Sequence, residues 1–451
     1  MSSYIRRKTP GDTDWLVHDR FGMFIHFGLY AMPARHEWIR EREDIPNEVY
    51  DEKYFKRFNP DLFDARDIAR RAKAAGMKYA VLTTRHHEGF SLFDTQYSDY
   101  KITNTPFGRD LVREYVDAFR AEGLKIGFYY SLLDWHHPHY TIDQCHPLRN
   151  RPDAKELNEG RDMKIYAEFM RNQVRELLTN YGKIDELWFD FSFKSDWYNG
   201  KYSFLDGGKG KGPDEWESEK MIELVRSLQP HIVINDRLGI EQDIITPEQR
   251  QLNEWPQHEN GEYRTWEACQ TFSGSWGYYR DEMTWKSPKM LIEMLIKTVA
   301  CGGNLLMNVG PCARGYLDSR ACNALDAYAG WMKYNSRSIY GCTMAEPEFT
   351  APVGTWLTQS EDGERLYIHL FSYPYGALVM DGLADKIEYA QFLHDASEIQ
   401  FQPLAVERVA AGSYGGSQVR GDKHGAGQIK FTLPPVQPDQ LVPVIEVFLK
   451  K

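Results

Sequence analysis

Two segments of the sequence repeat one pattern that strongly limits the possible fold. Residues 69–87 read ARRAKAAGMKYAVLTTRHH, and residues 115–135 read YVDAFRAEGLKIGFYYSLLDW. In each, a helical pattern ends at a glycine, Gly76 or Gly123, the residue type that favours a left-handed helix C-cap, and a short apolar strand follows. A helix that leads through glycine into an apolar strand is the joint of an alternating α/β fold.

Continuous apolar runs predict further strands of the same kind, at 23–28, 184–191, 231–237 and 304–311. Amphipathic helical stretches lie between most of them, near 161–181, 215–229 and 288–301. Two weaker strands, at 243–248 and 265–272, bring the predicted number to eight. The strands are apolar with short polar tips, which is typical of a parallel sheet covered on both faces. No GxGxxG or GxxxxGK[ST] pattern follows any strand, so a (β/α)8-like barrel is favoured over an open, nucleotide-binding sheet.

The hydrophobic pattern of the sequence changes at about residue 343. Short alternating stretches such as RLYIHLFSY and IKFTLP then appear, broken by Gly, Pro and Asp, which is the pattern of an antiparallel β-sandwich. The sequence therefore predicts two domains, a catalytic barrel over 1–342 and a β-sandwich over 343–451.

Charge and composition exclude several classes of partner. The 54 Lys and Arg residues against 65 Asp and Glu residues give a net charge of −11, which argues against a nucleic-acid or anionic membrane surface. The first residues hold no apolar core of a secretory signal, and no run of 18 apolar residues occurs, so we expect a cytoplasmic protein. The six cysteines are scattered and are interpreted as reduced thiols.

The stretch ELWFDF, residues 186–191, places the carboxylate of Asp190 within an otherwise apolar strand. An unpaired charge in such a setting is costly, so the position calls for a partner or a function. In barrels the chemistry lies at the carboxyl ends of the strands. Polar and aromatic residues follow those predicted ends: His26, Glu37, Trp38, His86, His87, Tyr129, Tyr130, Asp134, Trp135, Asp190, Asn235, Asp236, Arg237, Glu248 and Glu267.

Several of these residues have a purely structural interpretation as well. A lone histidine such as His26 is often a satisfied core residue, Trp188 could be core packing, and Asp190 could be a buried partner of Arg237. Neighbours on a strand point to opposite faces, so at most one of His86 and His87 faces the pore unless the strand has ended. A barrel metallohydrolase is the competing catalytic class, with ligands from His26, His86, His87, His136, His137 and Asp190. Against it, neither HxH on the first strand nor HExxH occurs, and we predict no metal or other cofactor.

The sequence resembles the retaining α-L-fucosidase family of glycoside hydrolases. The resemblance rests on motifs in the same order between residues 15 and about 342: FGMFIHFGLYAMPARHEW, KYAVLTTRHHEGFSLFDTQYSDY, GRDLVREYVDAFRAEGLKIGFYYSLLDWHHP, ELWFDF, VINDR, TPEQ, WEACQTFSGSWGY and GGNLLMNVGP. By this resemblance Asp190 is the expected nucleophile. The expected sugar contacts are His26, Glu37, Trp38, His86, His87, Tyr129, Trp188 and Arg237, with Trp276 near the fucose methyl group.

The acid/base residue is less securely placed by the resemblance, and two candidates remain, Glu248 of TPEQ and Glu267 of WEAC. Glu248 is preferred because a loop-borne acid at the mouth can reach the leaving-group oxygen. Phe191 stands where many relatives have glycine, and the segment 191–212 also departs from the family pattern. Both departures bear on the aglycone side, so linkage preference stays open.

The expected activity is hydrolysis of terminal α-L-fucosides by double displacement, in which Asp190 attacks and a second carboxyl protonates the departing oxygen. We expect Arg237 to lower the pKa of Asp190 and keep it ionised. The expected partner is a fucosylated oligosaccharide or glycoside, and a homo-oligomer is possible. The alternatives are α-L-galactosidase activity in the same pocket and a carbohydrate-binding protein without activity.

Overall fold

Parallel strands form a ring in the first part of the chain. The computed structural model describes residues 3–193, 199–206, 210–404 and 427–450. Its first seven strands are β1 (Phe21–Ile25), β2 (Tyr79–Arg85), β3 (Lys125–Ser131), β4 (Glu186–Asp190), β5 (Val233–Ile234), β6 (Glu267–Thr271) and β7 (Asn304–Val309). They pair in parallel in the order β5-β4-β3-β2-β1-β7-β6.

The weak strand predicted at 243–248 occupies the gap between β5 and β6. It makes single parallel bridges to both sides, from Ile244 to Asn235, from Ile245 to Trp266 and from Glu248 to Cys269. Eight parallel segments therefore surround one axis, and the predicted (β/α)8-like barrel is confirmed. Between β5 and β6, a range that the structure describes throughout, the chain forms one 3-10 turn (Asp236–Leu238) and no α-helix, so the alternation of helix and strand that marks the other strands is missing here.

Twelve α-helices are described along the chain, and the longer ones cover the barrel. They are α1 (Asp14–Asp19), α2 (Ile39–Arg42), α3 (Asn47–Lys53), α4 (Ala65–Ala74), α5 (Leu111–Ala121), α6 (Ala154–Leu157), α7 (Met163–Asn180), α8 (Ser203–Asp206), α9 (Pro213–Trp216), α10 (Ser218–Leu228), α11 (Pro288–Ala300) and α12 (Ser319–Asn335). Asp64 and Asp110 accept backbone N–H bonds at the start of α4 and α5. Gly76 and Gly123 follow these helices with φ of 86° and 78°, as predicted for the two joints.

Side chains alternate between the barrel interior and the helical layer. On β4, Leu187 and Phe189 pack outward against the helices, whereas Trp188 belongs to a second cluster inside the barrel with Phe24 and Tyr129. Because side chains on a strand alternate, Glu186 and Asp190 share the inward face with Trp188. The carboxylate in ELWFDF is thus a pore-facing group at the carboxyl end of its strand.

A two-layered β structure follows the barrel. Its strands are β8 (Cys342–Met344), β9 (Thr355–Ser360), β10 (Arg365–Leu370), β11 (Ala377–Met380), β12 (Ile387–Phe392), β13 (Phe401–Pro403), β14 (Ile429–Thr432) and β15 (Val444–Leu449). One sheet has the order β12-β15-β10-β9-β8 and the other the order β11-β14-β13, and all pairs are antiparallel. A separate apolar core lies between them, and the predicted boundary falls within β8. Residues 405–426 of the predicted sandwich domain lie outside the described residues.

Within the described ranges, no helix combines the length and apolar character that crossing a bilayer requires.

Candidate active site

A cavity opens at the carboxyl ends of the barrel strands. Strand ends and the loops that follow them supply its wall. The lining residues are Phe24, His26, Trp38, His86, His87, Tyr129, Trp188, Asp190, Phe191, Arg237, Glu248, Cys269 and Trp276. Ten of the twelve residues predicted from sequence therefore lie around one space, and Glu37 and Glu267 lie outside it.

Asp190 sits in the cavity with a hydrogen-bond donor on each carboxyl oxygen. Arg237 Nη1 donates to Oδ1 at 2.8 Å, and the Tyr129 hydroxyl donates to Oδ2 at 2.7 Å. The group is 9% exposed at residue level, so it is buried yet reaches the cavity. Asp190 is therefore both the partner of Arg237 and a cavity group, and these two interpretations do not exclude each other.

The pKa of Asp190 differs in direction from our expectation. Burial raises it, and the charge of Arg237 opposes that effect, with the result that the pKa is about 6. Arg237 thus lowers the pKa of Asp190 as expected, but this effect is smaller than the increase that desolvation of the carboxylate causes. At neutral pH the group remains mostly ionised.

Arg237 joins Asp190 to Glu248. Its Nη1 lies 2.8 Å from Asp190 Oδ1 and 2.7 Å from Glu248 Oε2. These two oxygens therefore lie no more than about 5.5 Å apart, so the carboxyls come close together, as the two carboxyls of retaining glycosidases do at roughly 5–5.5 Å. The guanidinium also packs on the face of Trp188, with 4.6 Å between the guanidinium carbon and the ring centroid.

The histidines of the cavity are neutral, because burial lowers the pKa of His26 to about 3 and holds those of His86 and His87 well below their usual range. The His87 Nδ1 lies 2.7 Å from Ser131 Oγ, whose own proton goes to the Leu133 carbonyl. We therefore assign the His87 ring proton to Nδ1, which leaves Nε2 as an acceptor 3.8 Å from Asp190 Oδ2.

The same argument holds for His26. The amide nitrogen of Asn308 donates to the Trp276 carbonyl, so the Asn308 oxygen accepts from His26 Nδ1 at 2.6 Å. His26 Nε2 is then also an acceptor. Acceptor nitrogens on neutral histidine rings suit the hydroxyl groups of a sugar.

His86 and His87 both line the cavity although they are neighbours in the sequence. Strand β2 ends at Arg85, so the two residues no longer follow strand alternation. Their rings lie 4.0 Å apart, and His86 stacks on Tyr129 at 5.6 Å. Within the described structure, His86 Nδ1 is buried without a hydrogen-bond partner.

Aromatic rings form two parts of the wall, one around Trp276 and one around Trp38. Trp276 contacts Phe24 at 5.9 Å and His26 at 5.1 Å between ring centroids. Trp38 contacts His87 at 5.0 Å and Phe191 at 5.2 Å between ring centroids. A flat, partly apolar ligand would have ring surface to contact in both parts.

Glu37 supports the cavity without lining it. Its Oε2 accepts the backbone N–H groups of Trp276 and Gly277 at 3.2 and 2.9 Å, and the residue is 2% exposed. Burial raises its pKa to about 7. The structure thus shows Glu37 holding the loop of Trp276 in place, and its predicted contact with the sugar stays a prediction.

Glu267 is the first residue of β6 and lies near the amino end of the barrel, away from the cavity. It is fully buried and accepts hydrogen bonds from the Tyr79 hydroxyl and from Trp188 Nε1 at 3.2 Å. Glu186, at the start of β4, is its neighbour in the barrel interior. Of the two acid/base candidates, Glu248 alone lines the cavity.

Sequence reasoning missed two lining residues, Phe24 and Cys269, and singled out Phe191 only as a departure from the family pattern on the aglycone side. Alternation along a strand places residues two apart on the same face. This rule could have identified Phe24, two residues before His26, and Cys269, two residues after Glu267. Burial raises the pKa of the Cys269 thiol well above its usual range. Phe191 departs from strand geometry and has no parity signal.

Residues 194–198 and 207–209, within the divergent segment 191–212, lie outside the described residues. In the described ranges, no three His, Cys, Asp or Glu side chains come together as a metal ion would require.

Comparisons with known proteins find relatives over most of the chain. A sequence model of the family described as alpha-L-fucosidase matches residues 6–337. The chain belongs to the α-L-fucosidase family. An alpha-L-fucosidase from Dictyostelium discoideum is 28% identical over 408 residues, covering 82% of this chain and 79% of that protein.

Solved structures of the family share the whole fold. Alpha-L-fucosidase isoenzyme 1 from Paenibacillus thiaminolyticus is 40% identical, with a TM-score of 0.85 and coverage of 97% of this chain and 99% of that one. An alpha-L-fucosidase from Bacteroides thetaiotaomicron, trapped as a covalent intermediate with 2-fluoro-fucosyl fluoride, is 26% identical, with a TM-score of 0.77 and coverage of 100% and 98%.

Proposed function

We propose that this α-L-fucosidase family member hydrolyses terminal α-L-fucosides with retention, through a covalent fucosyl–Asp190 intermediate. The observation that carries the proposal is the pair of carboxyls, Asp190 and Glu248, held by one Arg237 nitrogen at 2.8 and 2.7 Å. Carboxyls this close together favour retention over inversion, which needs a wider separation of roughly 6.5–9.5 Å to admit a water. The covalent intermediate trapped in the Bacteroides relative supports the same reaction course.

In the first step an oxygen of Asp190 attacks the anomeric carbon, and the bond from that carbon to the leaving-group oxygen breaks. Glu248 gives its proton to the departing oxygen and becomes a carboxylate. In the second step Glu248 takes a proton from water, the water oxygen bonds to the anomeric carbon, and the ester to Asp190 breaks. The two displacements restore both carboxyls and the original anomeric configuration.

The remaining residues orient the sugar. The acceptor nitrogens of His26 and His87 would accept hydrogen bonds from hydroxyl groups of the sugar. A substrate that lacks one of these hydroxyls would lose about 1–3 kcal/mol of binding free energy. The surface of Phe24 and Trp276 is apolar and would meet the methyl group of fucose. An α-L-galactoside carries a hydroxyl at that position and would place it, unpaired, against the same rings.

The first test is covalent labelling. Incubation with 2-fluoro-fucosyl fluoride should add one fluorofucosyl group per chain, because the fluorine slows hydrolysis of the intermediate, and peptide mass spectrometry should find it on Asp190. Asp190→Asn should take no label and should lose at least about a thousandfold in turnover of an aryl α-L-fucoside, equivalent to about 4 kcal/mol of barrier.

Asp117→Asn serves as the matched control, because Asp117 is exposed on the outer face of α5. It should label and turn over like the wild type. Label on another residue, or near-normal turnover by Asp190→Asn, would remove the nucleophile assignment. Binding of fucose without hydrolysis or labelling by the wild type would favour a carbohydrate-binding protein, and faster turnover of the matching galactoside would favour the other glycosidase.

A further inference from the structure

The lining of the cavity divides into a buried floor and an exposed rim. The floor residues Phe24, His26, His86, His87, Tyr129, Trp188 and Cys269 are each at most 4% exposed. The rim residues Trp38, Phe191, Arg237, Glu248 and Trp276 are all partly or largely exposed. A bound sugar ring that reaches Asp190 would fill the floor, so any group attached beyond the anomeric carbon must leave across the rim.

Phe191 stands out on the rim through its backbone conformation. It directly follows Asp190 and has a φ of 86°, in the left-handed region that favours glycine and is rare for a bulky side chain. The strained conformation carries the ring out of the strand direction. It brings the ring 5.2 Å from the rings of both Trp38 and His87.

The ring is therefore part of the cavity wall next to the nucleophile. Residues in sparsely populated backbone regions cluster at functional sites, where the surrounding structure holds them. A glycine would adopt this conformation without strain, so the backbone at this position is less stable with a phenylalanine than it would be with a glycine. Phe191 and Trp38 together present uncharged ring surface, whereas Arg237 and Glu248 present the charged part of the rim.

We propose that Phe191 is a specificity-determining residue that, with Trp38, contacts the leaving group of the substrate. The inference rests on the proposed fucosidase function. The leaving group is bonded to the carbon that Asp190 attacks, and Phe191 is the rim residue joined to Asp190 in the chain. An aromatic aglycone, or the apolar face of a second sugar ring, fits such a wall, whereas a charged group does not.

The test compares three donors that share the fucosyl group: α-L-fucosyl fluoride, an aryl α-L-fucoside and an α-L-fucosyl hexose disaccharide. The kcat/KM of each reports events only up to departure of the leaving group, so slow hydrolysis of the intermediate does not mask the effect. In Phe191→Gly, the ratio of kcat/KM for the aryl fucoside or the disaccharide to that for the fluoride should fall roughly tenfold. Fluoride is a single atom and has no surface to place on the ring.

Phe191→Ala is the second variant, because it removes the same ring but keeps a side chain on the strained backbone. The two variants should show the same change in ratio if the ring is responsible. Tyr334→Ala, which removes an exposed aromatic ring on α12, should leave the ratio unchanged.

An equal loss on all three donors would overturn the proposal and indicate that Phe191 only positions the backbone of Asp190. An unchanged ratio in both variants would overturn it as well. If the wild type hydrolyses none of the three donors, the fucosidase function itself fails, which is a different result from either of these.

Discussion

Asp190 shows at the scale of one residue how a buried carboxyl can serve as a nucleophile. Arg237 and Tyr129 each donate a hydrogen bond to one of its oxygens, and the residue is largely buried. Burial favours the neutral form and the two donors favour the ionised form. The balance leaves a carboxylate that is ionised at neutral pH and less stabilised than it would be in water, which favours attack.

The pKa of Asp190 predicts the acid limb of the pH profile. Only the ionised carboxylate can attack, so kcat/KM for an aryl fucoside should fall as pH drops through about 6. Tyr129→Phe removes a donor to the ionised form and should move this limb to higher pH. A wild-type profile that stays flat down to pH 4, or a Tyr129→Phe limb at lower pH, would contradict the assignment.

Glu248 and Glu267 can be separated as candidates for the acid/base by chemical rescue. Glu248→Ala should be slow on a fucoside with a poor leaving group, and added azide should restore rate on an activated aryl fucoside through a fucosyl azide of unchanged configuration. The reason is that azide needs no general base to attack the intermediate. Product analysis by NMR checks the configuration.

The matching variant is Glu267→Gln, because Glu267 lies outside the cavity and is bonded to Tyr79 and Trp188. Azide should neither speed its turnover nor yield a fucosyl azide. Rescue of Glu267→Gln would favour Glu267 as the acid/base. Failure to rescue Glu248→Ala would remove Glu248 from that role.

At the scale of an element, strand β4 carries carboxyl groups at both ends of its inward face. Asp190 opens to the cavity at one end, and Glu186 is fully buried beside Glu267 at the other. Burial, with the neighbouring charge of Glu267, raises the pKa of Glu186 well above its ordinary value, and burial also raises that of Glu267. Two carboxyls in one dry site favour holding at least one proton between them.

This buried pair makes stability depend on pH. The folded protein binds protons here that the unfolded chain has lost, so the stabilisation is present below the unfolded pKa near 4.5 and is lost as pH rises through the higher folded pKa. Glu186→Gln imitates the protonated acid and should raise the free energy of unfolding at pH 8 by at least about 1 kcal/mol.

The measurement is denaturant unfolding of wild type and Glu186→Gln at pH 5 and pH 8. The advantage of the variant should be larger at pH 8 than at pH 5. An equal difference at both pH values would show that the pair does not share a proton.

At the scale of the whole molecule, the β-sandwich packs directly on the barrel. The indole N–H of Trp331 in α12 donates to the Val442 carbonyl at 2.8 Å, and Arg337 pairs with Glu446 of β15 at 2.8 Å. Tyr367, Val442 and Val444 belong to the same apolar cluster as the barrel helices. We propose the division at residues 342 and 343 for the two domains. Their interface is apolar and continuous, which favours one rigid unit.

The sequence by itself determined the parts of this protein that follow local rules. The glycine joints at 76 and 123, the apolar strands, and the polar residues at strand ends such as His26, Asp190 and Arg237 are readable because strand parity, helix capping and turn chemistry act over a few residues. Only the tertiary structure decided the rest. It placed Glu267 at the far end of the barrel and Glu37 behind Trp276, set the pKa of Asp190 through burial, and turned Phe191 into the rim. Each of these depends on contacts between residues distant in the chain, or on a backbone conformation that distant contacts hold, and no local pattern carries that information.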